Sequence, residues 1–422
     1  MTERLLQFIW QFQYFNALAL TDVDGEPLVI LHPGTLNTNQ GPDFSEAKIR
    51  IGNTLLVGNV ELHLKTSDWD SHQHTTDSNY NSIILHVVWQ HDKQPENAPA
   101  CAVLVLQDRV STLLLQQYEA LMQANSFVPC AKHLPALSDV AWLSWKERLA
   151  AERLERKAAE IIHRLQQTKQ HWEEVFWWML ARNFGIKVNA DLFEQVAQSI
   201  SINILAKHKN QIHQLEALLL GQANLLNSKM EEAYPTMLQK EYQFLKQKYQ
   251  LVQPKKSPDF LRMRPANFPT VRLAQLAMLV NQSSHLFSTI KSTATVKEIQ
   301  QLFDVTANDY WHYHYQIDEV TDYHPKKLGR QMVDNIIINT IIPVLFAYGL
   351  YTKDEAIKTK AILWLTNLGP EQNTITRNWV KYGVKNYNAL DAQALIELKN
   401  NYCQYHKCLD CAIGNAILKR GK

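Results

Sequence analysis

The sequence has few of the residues that break or staple a chain. It holds 13 glycines and 15 prolines in 422 residues, which excludes collagen-like and low-complexity classes. Five cysteines are too sparse for a disulfide scaffold, and the odd count argues against complete pairing. Neither sign of charge dominates: 43 Lys and Arg stand against 41 Asp and Glu, a formal net charge of +2. That excludes a polybasic coat protein for nucleic acid, though not a local basic cleft. With 46% apolar and 20% charged residues, the chain is not disordered, and its length suits two or three domains. A long uninterrupted apolar run is also missing. The nearest, residues 335–351, is shorter than a usual span and carries Asn339, Thr340 and Pro343, so it reads as a buried helix kinked or interrupted at the proline. Met1–Asn16 carries Glu3 and Arg4 and no small-residue cleavage site. A cytoplasmic protein with no membrane partner is expected.

What is there changes character near residue 110. Before it the pattern is short and β-like; after it helical periods dominate. Leu5, Ile9, Phe12 and Phe15 predict an opening amphipathic helix over 3–15. Strands are expected at 27–32, 47–51, 55–65, 83–89 and 101–106, with 47–51 and 55–65 joined as a hairpin through Gly52-Asn53. Helices are expected from about 142, then over 172–184, 190–199, 208–226, 235–250, 270–281, 295–303, 330–350, 353–367, 371–382 and 388–402. The expected fold class is α+β: a mixed α/β sheet domain over 1–125, a helical domain over 126–252, and a second helical domain over 253–422.

Three constellations carry candidate chemistry. The first is Gly41-Pro42-Asp43 followed by Glu61-Leu62-His63-Leu64-Lys65. Side chains alternate along a strand, so Glu61, His63 and Lys65 share one face. Two carboxylates and a strand carbonyl suit a hard cation such as Mg²⁺ or Mn²⁺, and a nearby basic group can stabilise developing charge. Just downstream, His72, His74 and Asp77 form a candidate metal or phosphate-positioning cluster. His86, alone in an apolar strand, reads as a hydrogen-bonded core histidine. The second constellation is Cys403, Cys408 and Cys411, flanked by His406. Cys130 or His406 could complete it: four thiolates would suit an iron–sulfur cluster, and three with a histidine would suit Zn²⁺. The third is Arg262, Arg264 and Arg272 around Pro265 and Pro269, a candidate nucleic-acid contact. The alternating run from Tyr310 to Tyr315 reads as an aromatic core segment.

The Asp43 and Glu-x-His-x-Lys pattern resembles the PD-(D/E)xK nuclease superfamily, in which an initial helix also contributes an acid; Glu3 could serve. That resemblance implies a restriction-endonuclease-like fold, with Asp43 and Glu61 as metal ligands and His63 or Lys65 in the lysine's role. One cysteine far upstream plus three clustered at 403–411 resembles the iron–sulfur staple of RecB-type and CRISPR-associated exonucleases, which usually have a different spacing among the three. The runs HPGTLNTNQGPDFSEAKI, GNVELHLKTSDWDSHQH, RMRPANFPTVRLAQLA and YCQYHKCLDCAIG together resemble an uncharacterised bacterial family, a domain of unknown function spanning nearly the whole chain. The expected function is a metal-dependent phosphodiesterase acting on nucleic acid. The alternatives are a non-catalytic nucleic-acid-binding or scaffold protein with a degenerate nuclease fold, and a His/Asp zinc hydrolase.

Overall fold

The computed structural model describes residues 1–37, 40–71, 80–93, 101–261, 263–283 and 285–421. The fold is mixed α+β, and its contacts group into two units. One contains Met1–Trp145, Asn378–Val384 and Glu397–Lys422; the other contains Lys146–Arg377 and Lys385–Ile396. These units divide the chain differently from the three consecutive regions expected from the sequence.

The first unit is built on a seven-stranded sheet: β1 (Leu20–Thr21), β2 (Pro27–His32), β3 (Thr35–Leu36), β4 (Phe44–Ile51), β5 (Thr54–Lys65), β6 (Ile83–Gln90) and β7 (Ala102–Val105). The order is β1-β2-β4-β5-β6-β7, with β3 on β4. Strands β1 to β5 pair antiparallel, whereas β5-β6 and β6-β7 are parallel. The Val23 amide, past β1, donates to the Val103 carbonyl of β7 at 3.0 Å, so the two ends of the sheet nearly close on each other. Strands at 27–32 and 83–89, expected from their apolar runs, and the hairpin fall close to their expected places.

Helix α1 (Glu3–Gln11) lies against β5. The Thr2 hydroxyl caps it by accepting from the Leu5 amide at 3.2 Å, and Leu5, Leu6, Phe8, Ile9 and Trp10 are buried. The Trp10 indole donates to the Pro33 carbonyl at 3.0 Å, fixing the helix over the sheet. Helix α2 (Asp68–Ser71) follows β5, and α3 (Thr112–Gln123) packs against the C-terminal helix Ala412–Lys419. At Gly58 a Cβ would come within 2.6 Å of the Ser82 carbonyl. Glycine therefore lets β5 and the start of β6 approach.

The second unit is helical. It takes in most of α4 (Asp139–Gln167), then Trp172–Phe184, Ala190–Ser199, Ala233–Tyr249 and Pro269–Gln282, close to the expected spans. The expected helix 208–226 instead divides into Ile202–His208 and Ile212–Gln222. Arg330–Thr352 is long and apolar enough to cross a membrane, and 72% of its most apolar window is buried. Residues Ile337–Ile341 form a π-helical turn in which the Ile342 amide donates to the Ile337 carbonyl. This widening comes immediately before Pro343, whose ring and missing N–H disfavour a regular α-turn. Trp311 is fully buried, and the Tyr310 ring stacks on His314 at 3.9 Å between centroids, whereas Tyr313 is exposed, so the 310–315 run is packed only in part.

Candidate functional site

The acids of the first constellation meet through strand register. Ala47 pairs with Gly58, but Phe44 pairs with Val60, with an irregularity between them. Glu46 sits there at a φ of 58° and supplies the extra residue of a β-bulge. Continuing the register past Ala47 without the bulge would set Phe44 against Glu61. The bulge sets Asp43 there instead. The Asp43 amide donates to Glu61 Oε2 at 3.1 Å, and the Leu62 amide donates to Asp43 Oδ2 at 3.0 Å.

Other groups complete this face. Gln7 Nε2 of α1 donates to Asp43 Oδ1 at 2.7 Å, and Glu3, one helical turn earlier, is within electrostatic reach of Glu61. On the opposite side, His86 of β6 lies in register with Glu61. His63 Nδ1 is 2.9 Å from His86 Nε2, so one ring nitrogen donates and the other accepts. His63 Nε2 lies 3.7 Å from Glu61 Oε1. The Trp69 ring, 0% exposed, stands edge-on to both histidines. The result is a row of half-buried Asp43, at the entrance to β4, buried Glu61 on β5 and buried His86 on β6, with His63 two residues along β5.

Burial and like charge dominate the electrostatics. Glu61 is 5% exposed. Its carboxyl is pushed up to about 8, first by burial, then by Asp43 and more weakly by Glu3, with the Asp43 amide opposing. Carboxylates set directly opposite one another destabilise a bare strand pair. Such a pair can accept a cation or share a proton. Among the described residues, no three His, Cys, Asp or Glu side chains are gathered closely enough to hold a metal ion by themselves.

Lys65 shares the strand face but ends exposed; its amide donates to Asp68 Oδ2 at 2.9 Å. His72, His74, Asp77 and Arg262 lie outside the described residues. In the helical unit, Arg264 is exposed, whereas Arg272 is 7% exposed. The Arg272 guanidinium donates to Gln275 Oε1 at 2.9 Å and Asn267 Oδ1 at 2.5 Å, and burial pulls it down to about 10. Its bonds brace the loop before Pro269–Gln282.

The four cysteines of the second constellation all fall within the sheet unit, are free of disulfides, and are 6–8% exposed. Cys403, Cys130 and Cys408 are pushed well up, chiefly by burial and then by neighbouring thiols, and Cys411 is raised to about 11 by burial. His406 turns its Nε2 to within 3.3 Å of the Ala124 carbonyl.

Sequence reasoning passed over Gln7 and Trp69. The i, i+4 spacing of Glu3 and Gln7 on one helical face was the available signal for Gln7. It also passed over a cavity of about 390 Å³ in the helical unit, lined by Lys157, Arg182, Asn183, Lys187 and Asn339 among others. Lys157 Nζ donates to Asn339 Oδ1 at 3.0 Å, and desolvation lowers its ammonium to about 7. Arg182 is already held by Asp191 and Glu194.

Against known families, residues 3–374 match the model described as protein of unknown function (DUF2851). The chain belongs to that DUF2851 family. No curated protein and no solved structure matches it. The DUF2851 match includes the acid site and Cys130, and it ends before Cys403.

Proposed function

We propose that this DUF2851 protein is a metal-dependent phosphodiesterase acting on nucleic acid, with its centre at Asp43 and Glu61. The observation that carries the reading is the like-charge pair itself: two carboxylates opposed where the chain enters β4 and along β5, one of them buried. Such a pair is stable when a cation lies between the acids, and Mg²⁺ or Mn²⁺ needs few protein ligands because it keeps several waters. When bound, such an ion polarises a phosphoryl oxygen and lowers the pKa of a bound water. Asp43 and Glu61 would hold it, with Glu3 adding negative potential from α1. Gln7 orients Asp43, the Asp43 amide orients Glu61, and His63 supplies a ring nitrogen beside the acids. A helix carrying an acid, an antiparallel hairpin and a parallel crossover strand supports a nuclease-like arrangement. Lys65 is left a minor role by its exposure.

The experiment is Mg²⁺- or Mn²⁺-dependent cleavage of single- and double-stranded DNA and RNA. Asp43→Ala and Glu61→Ala, each checked for folding by circular dichroism, should lose at least about 100-fold in rate, in keeping with the several kcal/mol such a metal supplies. Equal rates in both variants would remove the assignment.

A second reading is a non-catalytic nucleic-acid-binding protein retaining this arrangement. The burial of His63 at 1% exposure and its bond to His86 favour it, because a core histidine pair needs no substrate. Nucleic-acid binding that persists in Asp43→Ala, with no turnover in wild type under either metal, is the outcome that selects it.

A further inference from the structure

Cys130 lies more than 270 residues before Cys403 in the sequence, yet the segment around it meets the C-terminal cysteine loop: His406 Nε2 lies 3.3 Å from the Ala124 carbonyl, and the Arg420 guanidinium donates to the Ala136 carbonyl at 3.0 Å. The neighbouring thiols also raise one another's pKa. Several local features build this pocket. Cys130 begins the short turn Ala131–His133. His406, at a φ of 50°, reverses the chain between Cys403 and Cys408, and the Cys411 amide donates to the Cys408 carbonyl at 3.4 Å. Cys411 occupies the N-cap of Ala412–Lys419. A Cβ on Gly414 would stand 2.0 Å from the Cys408 carbonyl oxygen, so glycine is needed for this helix to close on the thiol loop. Fully buried Val128 and the stacked rings of Phe127 and Tyr382 provide apolar surroundings within the same unit.

We propose that Cys130, Cys403, Cys408 and Cys411 bind a [4Fe–4S] cluster that fastens the C-terminal segment to the sheet unit. Four cysteine thiolates match the ligand set of a cubane, with one thiolate per iron. Four thiolates also suit zinc, and the metal content of the purified protein separates the two. His406 is engaged at the Ala124 carbonyl, which leaves the cysteines as the ligand set. On binding, each thiol releases its proton to solvent and its sulfur bonds one iron.

The cluster would also brace the acid site. Asp410, between the last two cysteines, is paired with Arg4, and Asn415 Oδ1 accepts from the Tyr14 hydroxyl at 2.6 Å. Arg4 belongs to the helix that carries Glu3 and Gln7. Fixing residues 403–411 therefore fixes α1. The cluster assignment stands whether or not Asp43 and Glu61 support catalysis.

The test uses the full chain, purified anaerobically and then reconstituted with equal amounts of ferrous and ferric iron, which supply the mixed oxidation state of the cluster, and sulfide. Expected are brown protein with a broad band near about 400 nm and about four iron and four sulfide per chain. Cys408→Ser should lose most of this absorbance, and Cys101→Ser should keep it. Chelating the cluster from folded wild-type protein should speed amide exchange in α1 at least about tenfold, an effect read independently of nuclease activity. Colourless protein holding zinc, or wild-type protein that takes up no cluster on reconstitution, overturns the proposal. So does unchanged absorbance in Cys408→Ser.

Discussion

Two clusters of buried charge, one in each unit, are handled in opposite ways. In the helical unit, opposite signs meet around Lys146 and Glu194. Lys146 and Asp391, each 5% exposed, pair at 3.0 Å, and Lys146 also donates to the Lys385 carbonyl at 2.6 Å. Glu194 is held between Arg164 at 2.6 Å and Arg182 at 2.7 Å. In the sheet unit, Glu61 instead faces Asp43, with Glu3 adding a third negative charge. Satisfied pairs need only a structural explanation. A buried like-charge pair carries an unmet electrostatic cost, and such costs concentrate at functional sites.

This contrast can be broken by substitution. The largest stability effect belongs to the helical unit. Lys146→Ala leaves Asp391 buried without its cation and should cost about 3–5 kcal/mol in denaturant unfolding. A loss below about 1 kcal/mol would mean that this pair is not the anchor its burial implies.

Glu61→Gln should have the opposite sign in metal-free protein at pH 8, stabilising on the order of 2–4 kcal/mol. The folded carboxyl is raised to about 8 from an unfolded value near 4.5. Its contribution is therefore fully present below pH 4.5 and is lost as pH rises through 8. Wild-type stability in chelator should accordingly fall across that window, and Glu61→Gln should flatten the slope. A wild-type curve that rises with pH, with the same slope in the variant, would contradict the buried like-charge pair.

The smallest effect is expected at Lys65. Its side chain is exposed at the end of β5, so Lys65→Ala should change stability by no more than about 0.5 kcal/mol. Cleavage should fall by less than about tenfold, because the residue stands at the edge of the site. A loss as large as that of Asp43→Ala would restore Lys65 to the lysine's role in the resemblance.

Much of the sheet was legible because short apolar or alternating runs report strands, as the matches at Pro27–His32 and Ile83–Gln90 illustrate. The residues of the acid site were legible too, but their contact was not. It depends on the bulge at Glu46, which shifts register by one residue, and a charged residue at positive φ carries no clear pattern. The π-turn before Pro343 was foreseen only as an interruption. The return of the C-terminal segment to the sheet unit was beyond sequence reading, because ion pairs such as Arg4–Asp410 join residues about 400 positions apart. The four cysteines could be proposed as a set, but only the fold brings Cys130 to the other three.

The central claim is that Asp43 and Glu61 form a cation site. Its most direct test is equilibrium Mn²⁺ binding followed by electron paramagnetic resonance at pH 7.5. Wild-type protein should bind about one ion per chain at this site, with the affinity lowered at least about tenfold in both Asp43→Asn and Glu61→Gln. Identical Mn²⁺ isotherms for wild type and both folded variants would contradict the account.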